Sequence, residues 1–309
     1  MSTAAQRLEI EREFGENTGA TFAGGGRFLV ICRGEPGDPM EVELIDLSTG
    51  APKWKRDAEL LVNVFAVGSD AFALCVSETL YADDSEPLEL ELQIRSLDDG
   101  ELLTTIPATE LGHIADRPEG DMVALSHDFG PLELWDARSG EMIGGRAAEG
   151  TRGVAFSSDG RILAVRESEV VVILDPEEPY GEPVRTLSAD EDGIELAFQP
   201  GTSLLAVDQD QTITLVDART GQVRREIATT EEERVNGIGS LVFSPDGKWL
   251  LTATRSQGLV GLWDVERARF VGHLVEVGDD VNHLEFHPDG RRILIASFGA
   301  ATVYRLSPT

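Results

Sequence analysis

Lysine is nearly missing from this chain. Of 309 residues only Lys53, Lys55 and Lys248 are lysines, and with 23 arginines they face 56 acidic side chains, leaving a formal net charge of −30. Such a chain lacks the basic footprint that nucleic acid requires and the Lys/Arg clusters that hold a protein on an anionic membrane surface. Cysteine is scarce too. Cys32 and Cys75 sit in the apolar runs LVIC (29–32) and FALC (72–75), without a C-x-x-C pair. That excludes a thiolate metal site and predicts two buried free thiols in a reducing compartment. No run approaches the roughly eighteen consecutive apolar residues of a membrane-spanning helix. The opening MSTAAQRLEIEREF has neither the basic start nor the apolar stretch of a secretory leader, so the expectation is a cytoplasmic protein. Helical periodicity over a dozen residues is almost absent. Apolar residues nevertheless make up 41% of the chain, enough to bury a real core.

What is present is a repeat. VAFSSDGRILAV (154–165), LVFSPDGKWLLTA (241–253) and LEFHPDGRRILIA (284–296) align almost letter for letter as strand, four-residue turn and strand. In SPDG and HPDG, Pro presets φ, Asp caps the turn and Gly supplies the positive φ that closes the hairpin. Degenerate copies stand at 21–31, 64–76, 114–125 and 196–207, making seven hairpins. A third strand follows each, in VELIDLSTG (42–50), LELWDARSG (132–140) and ITLVDARTG (213–221) among others, and most units add a short fourth. The Asp-x-x-x-Gly spacing, Asp46 to Gly50 for example, suits a tight turn closed by a left-handed glycine. Four antiparallel strands about every 43 residues, seven times over, predict an all-β chain, a single seven-bladed β-propeller over residues 1–309.

The dipeptides Trp135-Asp136 and Trp263-Asp264, the S-P-D-G turns and the pair Gly272-His273 make the chain resemble the WD-repeat (tryptophan–aspartate repeat) family, in diverged and bacterial-like form, over residues 8–307. The resemblance implies a structural hydrogen-bond set in each repeat. It comprises a His before the first strand, a Ser/Thr in the second, an Asp in the following turn and the Trp. Ser126, Asp128 and Trp135 match three members in the third repeat, and no repeat has all four. The seventh unit ends at its third strand, TVYRLS (302–307), whereas RLEIEREF (7–14) alternates like a strand but has no hairpin of its own. Pairing them would remove two exposed edges at once, so the N-terminus is expected to close the ring as the outer strand of the last blade.

Chemistry-bearing motifs are few. His273, His283 and His287 do not make a zinc site, since four convergent ligands are needed and no Cys lies near. Asp208 and Asp210 lack the Gly and distal Glu of a calcium loop. Gly24-Gly25-Gly26 lacks the Gly-Lys-Ser/Thr of a phosphate loop, and no G-x-S-x-G elbow occurs. No catalytic, cofactor or metal residue is therefore assigned. The polar inner-strand residues Asn63, His113, Glu195, His283 and Glu285 are the only candidates for catalysis, at the central channel.

The loops joining fourth to first and second to third strands emerge on one face of a propeller, here the top. Their formal charge sums to about −22, against about −8 for the opposite turns. The partner-binding candidates are Asp83, Asp84, Glu86, Asp190, Glu191, Asp192, Glu231, Glu232, Glu233, Asp279 and Asp280. Such a rim steers a basic segment of another protein toward it. Solubility or a saline host would leave the same composition. Resemblance to WD-repeat proteins implies a non-catalytic interaction scaffold, a monomer or a subunit of a hetero-complex. The alternative is a lactonase- or hydrolase-like propeller enzyme working at the channel.

Overall fold

A computed structural model describes residues 8–15, 17–34, 40–58, 61–77, 89–109, 111–127, 130–147, 150–178, 180–190, 193–209, 212–297 and 299–306. Among these residues twenty-eight strands form seven four-stranded antiparallel sheets. Blade one is Asn17–Ala23, Phe28–Arg33, Met40–Asp46 and Pro52–Ala58, in that order from the inside outward. The next five blades repeat this order. In blade seven the inner three strands are Val281–Phe286, Arg292–Ser297 and Ala300–Leu306, and the outer one is the N-terminal Leu8–Gly15. It pairs antiparallel with Ala300–Leu306 from Leu8↔Leu306 to Gly15↔Ala300. The expected closure is therefore made, and Arg305 fastens it through Glu11 at 2.9 Å.

Local turn chemistry explains each sheet. Asp46, Asp136 and Asp217 accept hydrogen bonds from the amides two or three residues on, and Gly50, Gly140 and Gly221 close back onto the same aspartates' carbonyls. Gly140 has φ 71°, a left-handed conformation that side chains resist. The second strands read as unbroken apolar runs, such as Ala71–Ser77, because both of their faces lie against other blades. Outer strands such as Pro52–Ala58 are largely exposed.

Apolar packing lies between blades. Each boundary holds its own cluster, for example Val30, Leu44, Phe72 and Leu74 between blades one and two, and Leu29, Ile31, Leu294 and Val303 between seven and one. Neither side of such a cluster is complete without its neighbour, so closing the ring completes the core. Cys32 and Cys75 are free and buried in these layers, and burial pushes both thiols up.

The bottom face is stitched from blade to blade. The Trp54 indole donates to the Leu97 carbonyl at 3.1 Å, Gly68 N–H donates to Asp116 at 3.0 Å, and Gln199 donates to Gly247 O at 2.7 Å. His287, at the serine position of its turn, links blade seven to the Gly26 carbonyl at 2.7 Å. Ion pairs cross blade boundaries as well: Lys53–Asp98, Arg138–Asp70 and Arg219–Asp159.

Candidate functional site

One bulge, repeated in six inner strands, sets the top of the channel. Register shifts fall between Asn17/Gly19, Leu61/Asn63, Leu111/His113, Thr151/Gly153, Ile238/Ser240 and Val281/His283. Gly19, Asn63, His113, Gly153, Ser240 and His283 therefore occupy one position. Glu195 takes it in blade five, where Leu196 pairs with Val207 as Leu284 pairs with Ile295. Four of the five inner-strand candidates thus share one ring around the channel, and Glu285 stands two residues further down blade seven. They split into two groups. His283 bonds to Glu285 at 3.1 Å, and Glu285 accepts from Phe22 N–H and Thr21 of blade one. Glu195, two blades away, lies instead against Asp208 and Arg255.

Burial pushes the Glu195 carboxyl up to about 8, the Asp208 charge adds to this, and Arg255 offsets part of it. Asp208, at the top end of Leu204–Asp208, is pushed up to about 7 by burial, with Arg255 and Arg166 opposing. Arg166 is 0% exposed and commits its donors to backbone carbonyls of Ser168, Asp208 and Asp190. Sequence reasoning missed Arg166 and Arg255, because nothing local distinguishes them from surface arginines. It passed over Asp208 as part of a turn.

The acidic top rim is only partly described: Asp83, Asp84, Glu86, Glu191 and Asp192 lie outside the described residues. Asp190, Glu231, Glu232, Asp279 and Asp280 are exposed, and none makes an ion pair among the described residues. The bottom turns differ. Asp46, Asp136 and Asp159 are held below the ordinary carboxylate range by the Ser48 hydroxyl, the Ser139 amide and the Ser157 hydroxyl respectively. Asp159, Asp246, Asp264 and Asp289 each pair with an arginine or lysine.

Glu233 leaves the rim. The segment expected as a loop folds into a short helix, Glu231–Asn236, with Thr230 as N-cap and Glu233 as its reciprocal partner. Glu233 is 3% exposed. Its carboxylate accepts from the Thr230 amide and from the Thr252 hydroxyl, while Thr252 accepts from the Trp263 indole at 3.0 Å. A glutamate thus stands where the resemblance implies a histidine.

The match expected in the third repeat does not form. Trp135 lies opposite Val123 as Trp263 lies opposite Leu250, so the position corresponding to Thr252 is Leu125. Ser126 is one residue off and faces the other side of the sheet. It bonds to the His113 backbone, and Trp135 donates to Glu133 at 2.9 Å. Asp128 lies outside the described residues.

Among the described residues no cluster of metal-ligating side chains occurs, and no helix is long and apolar enough to cross a membrane.

Comparison with known proteins bears on the same region. Residues 226–264, which contain Glu233, Thr252 and Trp263, match the family described as WD domain, G-beta repeat. One relative, an uncharacterized WD repeat-containing protein of Deinococcus radiodurans, is 40% identical over 68 residues, covering 22% of this chain. Another of that description and organism is 33% identical over 66 residues, covering 21%. The chain spans about a quarter of the length of these relatives, 26% and 25% respectively.

Proposed function

We propose that this chain, a diverged WD-repeat propeller of seven blades, is a non-catalytic scaffold whose acidic top face recruits a basic segment of a partner protein. In this reading it is a cytoplasmic protein and works as a subunit of a larger assembly. WD-repeat propellers are a common interaction fold, which supports the scaffold but not the partner. The observation that carries the finer reading is the crowding of unpaired acids on the rim. Some bottom-face acids, such as Asp98, Asp159, Asp246 and Asp289, pair in place with Arg or Lys and others, such as Glu119 and Glu266, do not, whereas all five exposed rim acids Asp190, Glu231, Glu232, Asp279 and Asp280 have no ion-pair partner among the described residues. Unneutralised like charges are costly on one surface and steer a basic ligand to it. Val235, 76% exposed beside Glu231 and Glu232, adds an apolar contact.

The test compares two charge-matched variants for binding an Arg/Lys-rich peptide at low and high salt. One reverses Glu231, Glu232, Asp279 and Asp280 to Lys; the other reverses Glu119, Glu178, Glu182 and Glu266 on the bottom face. Loss confined to the top variant is expected. Equal loss in both would reduce the effect to net charge and overturn the reading. A channel hydrolase is the second reading, motivated by the raised carboxyls of Glu195 and Asp208. It requires turnover of lactone or ester substrates that Glu195→Gln abolishes.

A further inference from the structure

Two residues below the shared bulge, each inner strand sets one side chain at the next level of the channel. Blades two to six supply Phe65, Ala115, Ala155, Ala197 and Val242 there, blade one Thr21 and blade seven Glu285. Glu285 is thus a single carboxylate on an otherwise uncharged and largely apolar level. The geometry points to a binding site at this level for a small alkylammonium ion. Its nitrogen sits on Glu285 and His283, and its apolar body lies against the far wall. The site is separate from the acidic rim and does not rest on the scaffold reading.

Position comes first. Glu285 accepts from Phe22 N–H at 3.0 Å and from the Thr21 hydroxyl at 3.2 Å. Phe22 lies in the innermost strand of blade one. An amide of that strand that donates across to blade seven stands on the free edge of its sheet, which faces the channel. That contact holds the carboxylate at the channel, where its acceptors are only half used. Phe22, Thr21 and His283 Nε2, the last at 3.1 Å, all reach Oε2. Oε1 has no hydrogen-bond partner among the described residues and is not sealed from solvent; the side chain is 27% exposed. With Nε2–H on the carboxylate, the neutral His283 ring presents its Nδ1 lone pair, which also has no partner among the described residues. Its side chain is 23% exposed, and no Lys or Arg pairs with Glu285 among the described residues.

The opposite wall fixes the rest of the ligand. In a closed ring of seven, blade seven faces the boundary of blades three and four, whose residues at this level are Ala115 and Ala155. Two methyl groups leave room across from Glu285 and offer only apolar surface. A carboxylate in such surroundings is costly unless donors satisfy it, and charged donors do so best. An ammonium supplies them to Oε1 and Nδ1 together, while its alkyl part leaves water for the alanine wall. An anion would meet the carboxylate, and two side chains are too few to hold a metal ion. Among the described inner strands the one arginine is Arg152, above this level at the top of blade four and beside Arg166.

The probe is n-butylammonium, titrated into the full chain by calorimetry at about 150 mM salt, which screens the exposed acids. Saturable one-to-one binding is expected, with none for n-butanol or n-butyrate at the same concentration. Glu285→Gln should weaken it by about tenfold or more, as removal of a charged hydrogen-bond acceptor does. Asp280→Asn removes the same single charge from the rim and should leave the affinity unchanged. A thermal melt of each variant separates lost binding from lost folding. Absence of saturable binding, equal binding of butanol or butyrate, affinity unchanged in folded Glu285→Gln, or an equal loss in Asp280→Asn would each overturn the site. Should Glu285→Gln not fold, the imidazole resonances of His283, identified by their loss in His283→Gln, decide in the parent chain. A saturable shift with butylammonium supports the site, and an unmoved spectrum overturns it. The rim reversal at Glu231, Glu232, Asp279 and Asp280 should leave this small probe's binding intact, so peptide recruitment and the channel site fail independently.

Discussion

The Trp263 indole donates to the Thr252 hydroxyl across two strands of blade six, and Thr252 passes the chain of hydrogen bonds on to Glu233. Three side chains far apart in sequence thereby tie the third strand, the second strand and the connecting helix into one unit.

Replacing Glu233 by Ala should cost about 2–4 kcal/mol, since it removes the reciprocal partner of the Thr230 cap and orphans the Thr252 hydroxyl. Gln keeps an acceptor, so its cost should be smaller. Chemical denaturation of the two variants measures the difference, and equal costs would show that the hydrogen-bond relay is not what holds the helix.

Closure depends on Leu8–Gly15. Deleting residues 1–15 exposes the edge of Ala300–Leu306 and should lower the unfolding temperature by about 5–10 °C, with a rise in aggregation. Circular dichroism melts check this, and an unshifted transition would mean that the ring is held without its N-terminal strand.

Gly26 has φ 85°, and a Cβ there would sit 2.5 Å from His287 Nε2. Gly26→Ala should therefore destabilise by about 2–4 kcal/mol. Part of that penalty should vanish in a His287→Ala background, where the clash with the imidazole and the bond to the Gly26 carbonyl are gone while the 2.8 Å approach to Pro288 Cδ remains. A double-mutant cycle reads the coupling, and strict additivity would count against it.

Acid titration should show the opposite of the usual trend in one window. Burial raises Asp116 to about 6, Asp208 to about 7 and Glu195 to about 8, whereas the unfolded chain ionises these groups near pH 4. The folded state then holds more protons between these values, so stability from these groups falls as pH rises from about 4 to about 8. Glu195→Gln and Asp208→Asn should accordingly raise the melting temperature at pH 8 and leave it nearly unchanged at pH 4. A lower melting temperature for both at pH 8 would contradict the assignment.

The seven hairpins, the strand order and the N-terminal closure were all legible in the sequence. S-P-D-G and Asp-x-x-x-Gly are local instructions, and an unpaired strand at each end of a β chain has one obvious partner. The acidity of the top rim was legible as composition. Which of its acids are exposed was not. Glu233 reads like Glu231 and Glu232, yet helix geometry turns it inward to Thr252. Ser126 and Trp135 carry the right residue types, but one residue of register puts Ser126 on the wrong face and gives Trp135 to Glu133. The contact of Glu285 with Thr21 and Phe22 belongs to no single repeat.

Local turn chemistry and the two-residue alternation of strands therefore suffice to determine how many blades this chain makes and how each is built. The tertiary structure alone decided which charges are buried, paired or left facing solvent. Those outcomes depend on contacts between neighbouring blades, about 43 residues apart along the chain, and no local pattern encodes them.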